Sequence, residues 1–278
     1  MTFGGRWNIV FMALAFSCSR PGAVLPDRSA AAPQTAAAAE ATLALLQAKE
    51  PESFKMVHQV AARYQDQTWL MTGYLLGRKD GSFRVSAAAA VGPRLFDVAK
   101  VDGKWEAQVH LAPLAERLDP KHVGLAVERI YFLGASGPLQ RHGAYWLSRS
   151  AISSDEELDA IEVWRDGETL AILRKRFLKN GKLIYDIKYE QLEQVESHWL
   201  ARRVRLVSSY GFSLDLEVTD YNPRFPIPDD KLHIYRTALV RPERESGWAT
   251  LQGEHLPQSA SVKPGAWRSC ALASLLLR

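Results

Sequence analysis

Apolar and polar residues alternate with period two along most of the stretch from residue 54 to residue 221. Period two sends successive side chains to opposite faces of a strand, so each run has one apolar and one wet face. Phe83, Val85 and Ala87 alternate with Arg84 and Ser86. Trp105, Ala107, Val109 and Leu111 alternate with Glu106, Gln108 and His110. Leu183, Tyr185, Ile187 and Tyr189 share one parity, and Phe212, Leu214, Leu216 and Val218 share another. Strands are predicted over 54–64, 67–78, 82–90, 94–101, 104–112, 142–149, 158–165, 168–179, 182–193, 198–209 and 212–221. Asp102-Gly103, Asp166-Gly167, Asn180-Gly181 and Tyr210-Gly211 punctuate them as turns. A one-sided antiparallel sheet must cover its apolar face. With few helices to do so, it has to curl around its own interior.

Two helices stand out. Residues 36–49 are rich in strong helix formers, with Leu43 and Leu46 on one face. Residues 119–132 carry Asp119 as an N-cap and Pro120 at the first helical position. There Val123, Ala126, Val127, Ile130 and Tyr131 recur at helical spacing. The expected fold is mainly β with two or three helices: a curved antiparallel sheet forming an unclosed half-barrel, with an embedded lid or plug helix.

The N-terminus reads as a secretory signal over residues 1–17. Arg6 gives a weakly positive start and "IVFMALAF" a short apolar run. That run is far below the ~20 residues a membrane-spanning helix needs. Ser17 precedes Cys18, and "ALAFSC" resembles the lipobox of bacterial lipoproteins, in which the cysteine is lipidated. The alternative is a plain secretory signal with Cys18 incidental. The Pro-, Ala- and Ser-rich residues 18–35 read as a tether. From 243 to 278 the periodicity is lost, and a poorly ordered tail is expected.

The residues argue against several function classes. The formal charge of +4 over 278 residues is small and its charges are interleaved, so no nucleic-acid footprint is present. The runs Arg174-Lys175-Arg176 and Arg202-Arg203 read as solvated strand faces. The two cysteines, Cys18 and Cys270, offer no metal-binding spacing. The seven histidines form no HxH or HExxH pair, and no nucleophile elbow or phosphate-binding loop occurs. The acidic cluster at 155–159 reads as a strand-entry turn. A binding protein is expected, not an enzyme, with no cofactor and no metal.

The order of parts, from N-terminal helix through strands, embedded helix and further strands, resembles the LolA/LolB-like lipoprotein-carrier superfamily. So do "DGSFRVSAAAAVGPRLFDVAKVDGKW" and "WLARRVRLVSSYGFSLDLEVTDYNPRFPIPDDKL", and the likeness covers residues 36–235. It implies a half-barrel domain over 36–242 that holds acyl chains of a lipoprotein or lipid. Cys18 lipidation would place the chain on the LolB-like side, anchored to the outer membrane and facing the periplasm. The candidate cavity lining is Trp69, Phe83, Val85, Phe96, Trp105, Leu183, Tyr185, Phe212, Leu214 and Leu216. The candidate lid face is Val123, Val127, Ile130 and Tyr131. The same residues also suit a filled core, in a structural lipoprotein with an envelope protein partner.

Overall fold

The computed structural model describes residues 35–234, apart from 65, 90–91, 112–118 and 153–156. The signal segment with Cys18, the tether up to residue 34 and the tail from 243 lie outside the described residues. Thr35 caps helix α1 (Ala36–Ala48) through its side chain. Strands β1 (Ser53–Tyr64), β2 (Gln67–Arg78), β3 (Phe83–Ala89), β4 (Arg94–Val101) and β5 (Lys104–Val109) follow. Helix α2 (Pro120–Val127) then runs into a π-helical turn (Glu128–Phe132). Strands β6 (Gln140–His142), β7 (Tyr145–Ala151), β8 (Ala160–Asp166), β9 (Ile172–Lys179), β10 (Lys182–Val195), β11 (His198–Ser208) and β12 (Phe212–Asn222) complete the sheet. A single turn of helix, α3 (Asp229–Leu232), ends the described chain.

All twelve strands form one sheet in the order β5-β4-β3-β2-β1-β12-β11-β10-β9-β8-β7-β6. Every pairing is antiparallel, and the edge strands β5 and β6 do not pair. The expected unclosed, mainly β architecture with an embedded helix is the one observed. The chain starts mid-sheet, works out to one edge at β5, and must then reach the opposite edge at β6. The connection that makes this crossing carries α2. Tyr131 packs against core clusters on both halves of the sheet, so α2 and its π-turn lie in the curl of the sheet.

Local chemistry sets the details. Asp102-Gly103 and Asn180-Gly181 both adopt positive φ at both residues, as the tightest hairpin turns require. Register shifts interrupt β1 between Val57 and His58 and β10 between Leu183 and Tyr185. Such bulges bend a strand and increase its twist. α1 packs Ala39, Leu43 and Leu46 against Trp146, Leu139 and Leu170.

Residues 225–234 cross the outer face of β1–β5 as a strap. Ser53 Oγ donates to the Phe225 carbonyl at 2.7 Å, and Arg84 donates to the carbonyls of Lys231 and His233. The backbone N–H of Ile234 donates to Glu106 at 2.8 Å. Beneath the strap Asp97 is buried, which alone would raise its pKa. Hydrogen bonds from Ser86, His110 and Arg84 outweigh that and hold its carboxyl below the usual range.

Candidate functional site beneath the inserted helix

Asp119 and Pro120 start α2 as its sequence requires: the Asp119 carboxylate accepts from the Lys121 N–H at 2.9 Å. Gly124 lies directly on the Trp105 ring, and a Cβ there would overlap it. Glycine therefore sets how closely the helix approaches the sheet. The helix ends in a π-turn, where the Leu133 N–H donates to the Glu128 carbonyl at 2.8 Å. A π-turn shifts the phase of the side chains that follow it. Ile130 packs on the β8–β12 side, whereas Phe132 packs on the β1–β5 side.

The β1–β5 side is lined mainly by rings. Phe83 is fully buried and stacks on Phe132 with ring centroids 5.2 Å apart; Trp105 meets it edge-on at 5.8 Å. Val85 and Phe96 belong to the same buried cluster, and Trp105, Val123, Val127 and Tyr131 pack against it. On the other side Leu216 and Ile130 are buried together, and Tyr131, Tyr185, Phe212 and Leu214 pack around them. The candidate lining and the candidate lid face thus meet across one interface.

Trp69 and Leu183 stand apart from this interface. Trp69 pairs with Ala62 towards the far end of the β1–β2 hairpin and joins neither cluster. Leu183 lies beyond the β10 bulge, which shifts it out of phase with Tyr185. It lines a shallow depression of about 260 Å3 with Asp186, Lys188, Arg205 and Val207. A second depression, of about 420 Å3, lies where α1 meets β1, among Lys49, Glu52, His198 and Arg224. α2 lines neither.

Polar residues that sequence reasoning did not single out pin the π-turn to the sheet. Lys175 is only 2 % exposed, and its Nζ donates to the carbonyls of Ile130 at 2.9 Å and Arg129 at 3.3 Å. Burial, then the charge of Arg165, pushes its pKa down to about 7, with Glu50 opposing. The Tyr189 hydroxyl donates to the same Ile130 carbonyl at 2.6 Å. His58 is buried and therefore neutral, its pKa pushed down to about 4; a hydrogen bond to the Gly73 backbone partly opposes this. The Tyr131 hydroxyl lies 2.7 Å from His58 Nε2 and donates to it. Arg129 stacks over the Tyr185 ring at 4.5 Å and pairs with Glu157.

The charge run Arg174-Lys175-Arg176 is corrected by this arrangement. Arg174 and Arg176 do face outward, paired with Asp186 and Glu162. Lys175 between them must point inward, because a strand alternates. The same parity places His58 beside Met56 and Val60, and Arg165 beside Ile161 and Val163. Among the described residues no group of three or more His, Cys, Asp or Glu side chains could hold a metal. No helix among them is long and apolar enough to cross a membrane.

No protein-family model matches the sequence, and a search of curated proteins finds no match. Solved structures do match. A LolA-superfamily protein from Nitrosomonas europaea superposes with a TM-score of 0.55 at 15% identity, over 70% of this chain and 97% of that one. The fold is that of the LolA superfamily. A DUF1329-family protein from Desulfovibrio piger superposes with a TM-score of 0.52 at 10% identity, over 70% of this chain and 95% of that one. Identities this low carry the LolA-type fold and nothing about ligands. In this fold, the inserted helix and the concave face beneath it form the candidate binding site.

Proposed function

We propose that this protein is an envelope lipoprotein, anchored to the outer membrane through Cys18, that holds acyl chains of a lipoprotein or lipid on its concave face for transport. It acts by binding and catalyses no reaction. The observation that carries this reading is the covering of that face by the crossover helix α2. Beneath α2 lies an apolar surface of two clusters, one with Phe96 and Phe83 and the other with Leu216, and Tyr131 packs against both. The helix rests on it through rings and a glycine contact, and an acyl chain can replace such contacts. Each CH2 so buried contributes about 0.8 kcal/mol.

The test is native mass spectrometry of the full chain carrying Cys18→Ala, purified without detergent. Variants with Phe83, Tyr185 or Leu214 made polar are run beside it. Bound lipid in the parent that is lost from folded variants supports the carrier. A well-folded parent that is empty and also refuses added lipid sinks it. A second reading, a filled half-barrel with an envelope protein partner, is favoured by the complete burial of Phe83 against Phe132. For the anchor, incorporation of radiolabelled palmitate that disappears with Cys18→Ala is expected.

A further inference from the structure

A face built only for acyl chains has no use for buried cations, yet two sit on it. Lys175 and Arg165 are 2 % and 8 % exposed. They lie on the paired strands β8 and β9, among Ile161, Val163, Phe177 and Ile187. Removing a cation from water is costly unless it is paired. Neither is paired with a carboxylate at ion-pair distance among the described residues. Lys175 donates to the carbonyls of Arg129 and Ile130 and lies over the Tyr189 ring at 5.6 Å. Arg165 donates one Nη1 bond to the Leu170 carbonyl at 3.1 Å, and its buried Nε has no partner among the described residues. Glu50 is the carboxylate that acts on both electrostatically. Its own pKa is raised by burial, against the nearby cations Lys79, Arg165 and Lys175.

We propose that Arg165 and Lys175 form an anion site on the concave face, which takes the acidic head group of an acyl-chain ligand when the π-turn moves off it. The inference deepens the carrier reading and rests on it. The exchange is acceptor for acceptor. In the structure the Lys175 ammonium holds two carbonyl oxygens at the last turn of a helix. A carboxylate or phosphate offers the same oxygens with a full charge, and such bonds are about twice as strong as neutral ones. The Arg165 fork supplies N–H donors suited to a planar or tetrahedral oxyanion. The surrounding apolar cluster receives the chain, so the head group fixes which end lies towards β8 and β9.

The test uses the full chain carrying Cys18→Ala, without detergent, and two matched probe pairs. cis-Parinaric acid is compared with its methyl ester by fluorescence. A lysophosphatidic acid is compared with the monoacylglycerol of the same chain as competitors. The acidic member of at least one pair is expected to bind about tenfold more tightly, ~1.4 kcal/mol. The pair that shows this preference says whether the head group is a carboxylate or a phosphate. Lys175→Met and Arg165→Met are each expected to erase the preference for the acidic member of the pair. Equal affinity for acid and neutral probes in the parent, or a preference that survives Lys175→Met, overturns the anion site and leaves the carrier standing. The parent ratio needs no substitution, so it decides even where a variant misfolds. Binding of no probe at all removes the carrier reading and this site with it.

Discussion

On the β3–β5 side, α2 and its π-turn rest mainly on rings, Phe132 on Phe83 and Gly124 on Trp105, with a single ion pair between Lys100 and Glu128 beside them. On the β8–β10 side the same turn is held by directed hydrogen bonds from Lys175 and Tyr189 to its carbonyls. Apolar contact is non-directional, and another apolar surface can substitute for it. A hydrogen bond in a low-dielectric interior fixes position and is costly to leave unmade. The ring contacts can therefore be exchanged for other apolar contacts, and the hydrogen bonds decide where the helix sits. The difference separates the part an acyl chain can replace from the part that must be unlatched.

The largest expected effect lies on the ring-lined side. Phe83→Ala removes a fully buried ring from two aromatic contacts. A loss of about 3–5 kcal/mol is expected by urea denaturation. A loss below ~1 kcal/mol would mean that the rings under α2 hold little of the fold's burial energy.

Lys175→Met is expected to act in the opposite direction. In the folded protein Lys175 titrates at about 7, against its ordinary 10.5. The ammonium is thus penalised by folding below pH 7. The penalty fades as pH rises and is gone above 10.5, where both states are neutral. Removing the ammonium should stabilise the protein by roughly 2–4 kcal/mol at pH 6, after about 1 kcal/mol for the lost hydrogen bonds. Near pH 11 the gain should vanish or become a small loss. A variant less stable than the parent at pH 6 would show that the latch outweighs its desolvation cost.

His58 gives the acid-side counterpart. Its folded pKa is about 4 against an ordinary 6.5, so protonation favours the unfolded chain. Stability is full above pH 6.5 and falls as pH drops towards 4, by up to roughly 3 kcal/mol. His58→Gln should flatten that limb in urea titrations at successive pH values. An unchanged slope would place the acid sensitivity elsewhere.

The strands and the ring-lined side were legible because parity and turn chemistry speak locally. Phe83, Val85, Phe96 and Trp105 needed only the alternation of their own strands. Leu183 went astray because a bulge breaks parity without a glycine or proline to announce it. The latch was readable in principle: Lys175, His58 and Arg165 all sit on the apolar parity. Reading Arg174-Lys175-Arg176 as a run hid that its middle member faces inward. What the sequence did not contain is the partner of Lys175. A backbone carbonyl leaves no residue-type signal, and the π-turn that presents it looks like ordinary helix.

The smallest effect sharpens the comparison most. Tyr189→Phe removes one hydroxyl that donates to the Ile130 carbonyl at 2.6 Å. Lys175 still donates to that carbonyl, so no buried acceptor is orphaned. The cost should be about 0.5–1.5 kcal/mol, confined to the latch. Amide exchange of residues 128–133 should then speed up by roughly two- to tenfold, the range that free energy corresponds to. Amides of β3–β5 should be unchanged, because Tyr189 makes no bond to that side, which rings and the Lys100–Glu128 ion pair hold. If exchange rises equally on both sides, the helix leaves the sheet as one rigid piece. The division between a replaceable side and a latched side would then not describe how the concave face opens.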